Sequence, residues 1–293
     1  MKKSIYLSIY LSICLSISLN GQVINKQESD KIEGIKRKSS FNVEEIKVRW
    51  KKAALENCPG VPCIITPPPP SFTCGTSTIN DVDGNAYNTV LIGTQCWTLE
   101  NLKVTKYNDG TSIPLDNSGS STGSASGVTW SSKVTGAYTI YANEPSTGTN
   151  ATNYGYLYNW YAAVGIITNG GSPTKNICPT GWHVPTDAEW TTLTTYLGGE
   201  SVAGGKMKST SSLWNAPNTD ATNSSSFSVL PGGSRSNNGS FSDVRGSANF
   251  WSANEMVTNL NNAWIRTLYN SFSNAFRGND FKQSGFSIRC LRD

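Results

Sequence analysis

The 293-residue chain carries 24 Lys and Arg against 20 Asp and Glu, a formal charge of +4 with one histidine. The excess sits at the start: residues 22–71 hold nine basic and six acidic side chains, residues 72–293 thirteen and fourteen. The larger part therefore lacks the clustered positive surface that nucleic-acid binding requires. Taken in chain order, Lys2 and Lys3 precede an apolar run from Ile5 to Leu19, and Leu19-Asn20-Gly21 offers a small residue for cleavage. Residues 1–21 read as a secretory signal peptide, with an apolar stretch shorter than the roughly 20 residues a membrane span needs. The expected product is exported, with no transmembrane segment, and is secreted, periplasmic or held at the outer surface. Leu11-Ser12-Ile13-Cys14 only partly matches a lipoprotein box, because Ile13 is large and apolar residues continue beyond it.

Residues 22–71 read as a polar leader and linker. Val43 to Asn57 predicts one short helix, with Ile46, Trp50 and Leu55 roughly on one face. The prolines from Pro67 to Pro70 favour a stiff, extended spacer, which places the start of a compact domain near Phe72. Export also bears on the cysteines. Cys58, Cys63, Cys74, Cys96, Cys178 and Cys290 remain after removal of the signal, an even set in an oxidising compartment, and six cysteines allow about 15 connectivities. Structural zinc needs two close Cys or His pairs, and Cys58 with Cys63 is the single close pair, so no metal is expected.

From residue 72 onward, Gly, Ser, Thr and Asn dominate, and short alternating runs such as Ala86 to Ile92 and Ala263 to Tyr269 lie between turn signals. Asp83-Gly84-Asn85 and Asn108-Asp109-Gly110 are two of those turns. One strong helix signal stands out, in "GWHVPTDAEWTTLTTYLGG". Thr186 and Glu189 have capping-box spacing, Trp190, Leu193 and Leu197 recur at helical spacing, and Gly198-Gly199 suits a left-handed stop. Glu189 is therefore read as a cap, Asp187 as a first-turn acid favoured by the helix dipole, and His183 as scaffold just before the helix rather than as a general base.

Five blocks carry a resemblance: "DVDGNAYNTVLIGTQCWTLENLKVTKYNDGTSIP", "YGYLYNWYAA", "CPTGWHVPTDAEWTTLTTYLGG", "LPGGSRSNNGSF" and "NAWIRTLYNSFSNAFRGNDFKQSGFSIRC". Together they resemble the Fibrobacter succinogenes major paralogous domain over residues 74–293. The helix after the proline, "LPGGS" and the terminal "GFSIRC" are more distantly similar to the formylglycine-generating-enzyme branch of the C-type lectin fold. The resemblance implies an α+β, C-type lectin-like domain over residues 72–293, with short antiparallel strands, a few helices and long irregular loops. The pairing then expected is Cys178–Cys290 between the helix start and the last strand, Cys74–Cys96 across the first hairpin, and Cys58–Cys63 locally.

Motifs that suggest chemistry fare poorly. Gly119-Ser120-Ser121-Thr122-Gly123 fits G-x-S-x-G but lies in a low-complexity polar run. Asp81-Val82-Asp83-Gly84-Asn85 has Gly fourth and Ile92 twelfth, whereas a calcium loop needs Gly sixth and Glu twelfth, so a hairpin turn is expected. Glu144-Pro145-Ser146 and Trp214-Asn215 depart from the calcium- and sugar-binding triplets of true C-type lectins. The late cysteine pair that the enzyme branch implies is missing from "NFWSANEMVTNLNNAW". Phe286, Ile288 and Cys290 alternate with Ser287, Arg289 and Leu291, which predicts an inward Cys290 on a one-sided strand.

Asn259 to Lys282 mixes amides and hydroxyls with Trp264, Tyr269, Phe272 and Phe276, a composition that recognition surfaces favour. Alternation offers Trp264, Leu268 and Phe276 to the core, where some of them must lie, and leaves the Asn, Ser and Arg residues for the exposed side. The candidate ligand-binding residues are Asn261, Asn262, Arg266, Tyr269, Asn270, Ser273, Asn274 and Arg277. The function expected is a non-enzymatic, secreted or surface-displayed binding or adhesion domain for a glycan or protein ligand, with no catalytic residues and no cofactor. An enzyme of the formylglycine-generating-like fold and a structural envelope component are the alternatives.

Overall fold

The structure, a computed structural model, describes residues 72–118 and 129–293. The signal peptide, leader helix, Cys58–Cys63 bridge and G-x-S-x-G match lie outside the described residues. The first hairpin joins β1 (Ile79–Asn80) to β2 (Ala86–Tyr87). Its turn is built by Asp81, whose Oδ1 accepts the N–H groups of Asp83 (3.0 Å) and Asn85 (2.9 Å), while Gly84 supplies φ +84°. Asp81 Oδ2 takes the Tyr87 hydroxyl (2.7 Å), and Asp83 Oδ2 takes the N–H and hydroxyl of Thr105. These carboxylates fold the hairpin, as the spacing predicts.

β3 (Thr89–Ile92) and β4 (Gln95–Thr98) follow, then β5 (Tyr138–Thr139), α1 (Thr149–Tyr154), β6 (Leu157–Tyr158) and α2 (Trp160–Val164). β7 (Trp182–His183) leads into α3 (Asp187–Tyr196) and α4 (Glu200–Met207). The capping box of α3 forms as expected: Thr186 Oγ1 accepts the Glu189 N–H (3.2 Å), and Glu189 Oε2 accepts the Thr186 N–H (2.7 Å). Gly198 and Gly199, with φ of +101° and +99°, stop the helix. α4 has no apolar periodicity to announce it and carries two glycines in its last turns, a poor helix sequence that tertiary contacts hold in place.

The chain closes with β8 (Ser234–Arg235), β9 (Phe241–Ser242), β10 (Ser247–Glu255), β11 (Asn262–Tyr269), β12 (Phe276–Phe281) and β13 (Leu291–Arg292). One antiparallel sheet has the order β3-β4-β13-β7, with Leu291 opposite both Trp97 and His183. A second has the order β10-β11-β12. The fold is mixed α+β, with several small antiparallel sheets and long irregular connections. Two disulfides are present, Cys74–Cys96 and Cys178–Cys290, both as expected. The second ties β13 to the segment before β7 across 112 residues of sequence.

Two buried clusters lie on opposite faces of β10 and β11. Trp251, Ala263 and Ile265 join Tyr87, Tyr158, Trp182 and the Cys178–Cys290 bridge. Phe250 and Leu268 join Trp97, Trp190, Leu193 and Phe227. The period-2 alternation of strands thus divides one pair of strands between two cores. The segment before β13 departs from its expected one-sided alternation. Phe286, Ile288 and Cys290 are buried, but so are Ser287 and Arg289, each 2 % exposed. This thread runs through the interior and is paired piecemeal, Phe286 with Tyr158 and Ser287 with Phe250. Both of its faces are therefore covered.

Candidate functional site

The candidate residues on β11 and β12 do not form one patch. Asn261 and Asn262 sit at one end of β11, and Tyr269 and Asn270 at the other, roughly 23 Å away at the rise of an extended strand. Asn262 Nδ2 donates to Asn279 Oδ1 across the hairpin (2.8 Å), and Asn261 O accepts the Lys282 N–H. Arg266 lies between the two ends and is fully buried, which corrects its assignment to the exposed side. β11 is the central strand of its sheet, so a charged side chain there is enclosed and needs an internal partner. Arg266 finds Asp187 Oδ1 at 2.7 Å and Thr191 Oγ1 at 2.8 Å.

Arg277 is more accessible and serves the same anchor. Its Nη2 donates to Asp187 Oδ2 (2.8 Å), and its guanidinium stacks 3.5 Å from the centre of Trp264. Asp187 is thus an acceptor for two arginines as well as a first-turn acid. Burial alone would raise its carboxyl, but the hydrogen bonds from Arg277 and Arg266 hold it below the usual range. The same contact raises Arg277. Asn270, Ser273 and Asn274 also serve the fold: Asn270 Nδ2 donates to Ala216 O (3.0 Å), Ser273 Oγ to Ser201 O (3.0 Å), and the Asn274 backbone rests on α4.

Three exposed aromatic side chains of this segment gather at the turn between β11 and β12. Tyr269, Phe272 and Phe276 are 39 %, 49 % and 36 % exposed. Their rings meet in edge-on pairs, with centroids 6.2 Å apart for Tyr269–Phe272, 5.8 Å for Tyr269–Phe276 and 5.6 Å for Phe272–Phe276. Of the three apolar residues that alternation offers to the core, Leu268 is buried and Phe276 is not. Phe276 sits instead on the edge strand beside Thr267, where the sheet face runs out from under its cover. Phe272 belonged to no alternating run, so periodicity had no purchase on it. The legible signal was an apolar residue in the middle of a Ser- and Asn-rich turn.

The motifs set aside earlier have structural duties. His183 Nδ1 lies 2.6 Å from Asp293 Oδ1 and its Nε2 lies 3.1 Å from Glu189 Oε1, so it links the chain end to the cap of α3. Glu189 is held below its usual range: burial raises it, and the N–H and hydroxyl of Thr186 outweigh that. Glu144 accepts the backbone N–H of Asn150 (2.9 Å) and its side-chain amide (2.8 Å) at the start of α1. Trp214 is buried and donates to Val229 O, while Asn215 Oδ1 accepts from Arg245 Nε. Among the described residues no three His, Cys, Asp or Glu side chains are grouped to hold a metal ion. No described helix is long and apolar enough to cross a membrane.

A family model, that of the Fibrobacter succinogenes major domain, matches residues 90–292. No curated protein and no solved structure matches the chain.

Proposed function

The chain belongs to the Fibrobacter succinogenes major domain family, and from that premise we propose that it is a non-enzymatic binding or adhesion module that works outside the cytoplasm. Two disulfides fit an oxidising compartment, and the basic, apolar start of the chain supplies the export signal in this reading. The ligand is a glycan or a protein. One observation carries the proposal: three mutually touching aromatic rings stay exposed at one hairpin end, on a backbone fixed by internal hydrogen bonds. Exposed aromatic clusters offer contact area at little entropic cost and mark interaction sites. A C-type lectin-like arrangement is part of this reading, supported by the closing strand β13 lying between β4 and β7.

The test is binding by the full chain to glycan and protein arrays, compared with a variant carrying Tyr269→Ala, Phe272→Ala and Phe276→Ala. The expected result is a saturable ligand whose affinity falls by about a hundredfold or more, in line with the loss of three aromatics at about 1 kcal/mol or more each. Because the three rings offer no metal-ligating set among the described residues and do not titrate near neutrality, binding is expected to stay level with chelator present and between about pH 5 and 8. Unchanged affinity in the triple variant, or loss on adding chelator, removes the proposal.

A further inference from the structure

Two loops lean on α4 at its neighbouring glycines, and both are held chiefly through their backbones. At the first loop the Gly205 N–H donates to Ser273 O (2.8 Å) and the Ala275 N–H to Glu200 O (2.8 Å). A Cβ at Gly204 would lie 2.1 Å from Asn274 O, so the turn rests where only glycine leaves room. At the second loop the Thr222 N–H donates to Gly205 O (2.9 Å) and the Ser225 N–H to Lys206 O (3.1 Å). A Cβ at Gly205 would lie 2.6 Å from Asp220 O. Lys208 Nζ then joins the two loops, donating to Thr219 O (2.8 Å), Tyr269 O (3.0 Å) and Phe272 O (2.7 Å).

This arrangement frees side chains. Asp220, Thr222, Ser224 and Phe272 are exposed although their backbones are pinned. Asn218, Asp220 and Asn223 hold left-handed φ values of 44°, 53° and 51°, a shape that the internal bonds must maintain. Between the loops lies an open groove of about 330 Å³ lined by Val202, Lys206, Asp220, Thr222, Ser224 and Ser273. Asp220 forms no salt bridge among the described residues. Lys206 donates to Leu197 O.

We infer that this groove is a subsite for one neutral sugar unit of a glycan chain, an assignment that rests on the ligand-binding reading above and narrows it. Sugar hydroxyls both donate and accept, and the lining offers a carboxylate acceptor, an ammonium donor and three hydroxyl oxygens. Of these, Ser273 already donates to Ser201 O (3.0 Å) and Thr222 to Ser224 Oγ (3.2 Å), so those two serve as acceptors. An anionic unit meets Asp220 and a cationic one meets Lys206, so a neutral unit suits the pair. The volume lies at the small end of ligand clefts. The pinned backbones mean that little ordering remains to be done on binding. Phe272 of the aromatic turn stands one residue before Ser273 and offers stacking surface to the next unit along the chain.

The experiment titrates the full chain with cellohexaose, xylohexaose, mannohexaose and maltohexaose, and with an acidic oligogalacturonate, by calorimetry. At least one neutral hexasaccharide is expected to bind. Asp220→Asn combined with Thr222→Ala is expected to weaken it by about tenfold or more, consistent with two lost hydrogen bonds, with the thermal midpoint unchanged. Neutral-sugar binding that survives the groove substitutions but fails in the aromatic triple variant overturns the subsite and leaves the binding reading standing. Binding of the acidic sugar alone, or of a protein through the aromatics with no sugar bound, does the same. A sugar indifferent to both sets of substitutions overturns both readings, and silence toward every sugar overturns the subsite.

Discussion

Residues 247–281 and residues 208–246 are neighbours in sequence that satisfy their backbones by different means. The first stretch is three long strands in a ladder, with Ser247 to Trp251 paired to Tyr269 to Ile265 and Thr267 to Asn262 paired to Phe276 to Phe281. The second contains only β8 and β9, of two residues each. A buried loop must place its carbonyls somewhere, and here buried cations take them. Arg235 donates to Gly239 O (3.1 Å), Asp116 O (2.5 Å) and Ser118 O, between the rings of Trp130 and Phe241. Arg289 donates to Phe227 O (2.6 Å), Ser228 O and Asn101 Oδ1 (2.9 Å) and packs on Phe227. Lys208 does the same for Thr219, Tyr269 and Phe272. Charged side chains thus take loop carbonyls at Thr219, Phe227, Ser228 and Gly239 that no partner strand takes, and Lys208 and Arg235 tie that loop region to the β11–β12 turn and to Asp116 and Ser118.

The sharpest way to break this contrast is Arg289→Met. The side chain keeps much of its packing and loses every donor, leaving buried acceptors on the loop at Phe227 and Ser228, at Thr98 where β4 ends, and at Asn101 beyond it. Each such loss costs roughly 1–3 kcal/mol, so a total of about 3 kcal/mol or more is expected in urea unfolding. Hydrogen exchange is expected to rise around Phe227 and Ser228 while the β10–β11 ladder stays protected. Equal loss of protection in both regions contradicts the division of labour.

Lys208→Met comes next, at about 1–3 kcal/mol at neutral pH, and it carries a sign. Burial draws the Lys208 ammonium down from 10.5 to about 8, against the weaker pull of nearby Asp220. Between those pH values the unfolded chain holds more protons at this residue than the folded one. Stability contributed by Lys208 therefore rises with pH over that window, as the cost of burying its charge is relieved. The wild-type chain is expected to gain on the variant from pH 8 to 10. A shrinking gap shows that the ammonium is needed charged.

These two cations also mark what sequence pattern can and cannot convey. The capping box, the glycine stop of α3, the Asp81 turn and both described disulfides followed from local spacing or from family resemblance. Arg266 failed because alternation reads one strand at a time and does not know that the strand is central. Arg289 failed similarly, since its thread is covered on both faces by elements distant in sequence. α4 was invisible because Gly204 and Gly205, which weaken a helix, are there to admit two loops. The groove beside α4 joins residues from three segments that no period links. The aromatic turn lies in the segment whose composition suits recognition, but no period separates a surface role for Phe272 and Phe276 from a core one.

The smallest effects separate two residues of one short stretch, Thr186 and His183. Thr186 holds Glu189 through both its N–H (2.7 Å) and its hydroxyl (2.8 Å), and its Oγ1 takes the Glu189 N–H. Thr186→Ala removes the hydroxyl from both contacts and is expected to cost about 0.5–2 kcal/mol, the usual worth of an N-cap. Glu189 has a lowered carboxyl, so its share of that stability is present above the ordinary carboxylate range and lost as pH falls through the folded value. The Thr186→Ala penalty is accordingly expected to shrink in acid. His183 is a third exposed and reaches Asp293, which is 60 % exposed. Contacts so open to water contribute about 0–1 kcal/mol. His183→Gln keeps a donor near Glu189 and is expected to shift stability by less than Thr186→Ala while leaving ligand affinity where it was. Loss of ligand binding in His183→Gln at an unchanged melting temperature shows instead that the imidazole acts in recognition, and that its place between two carboxylates is more than a clasp between the chain end and a helix cap.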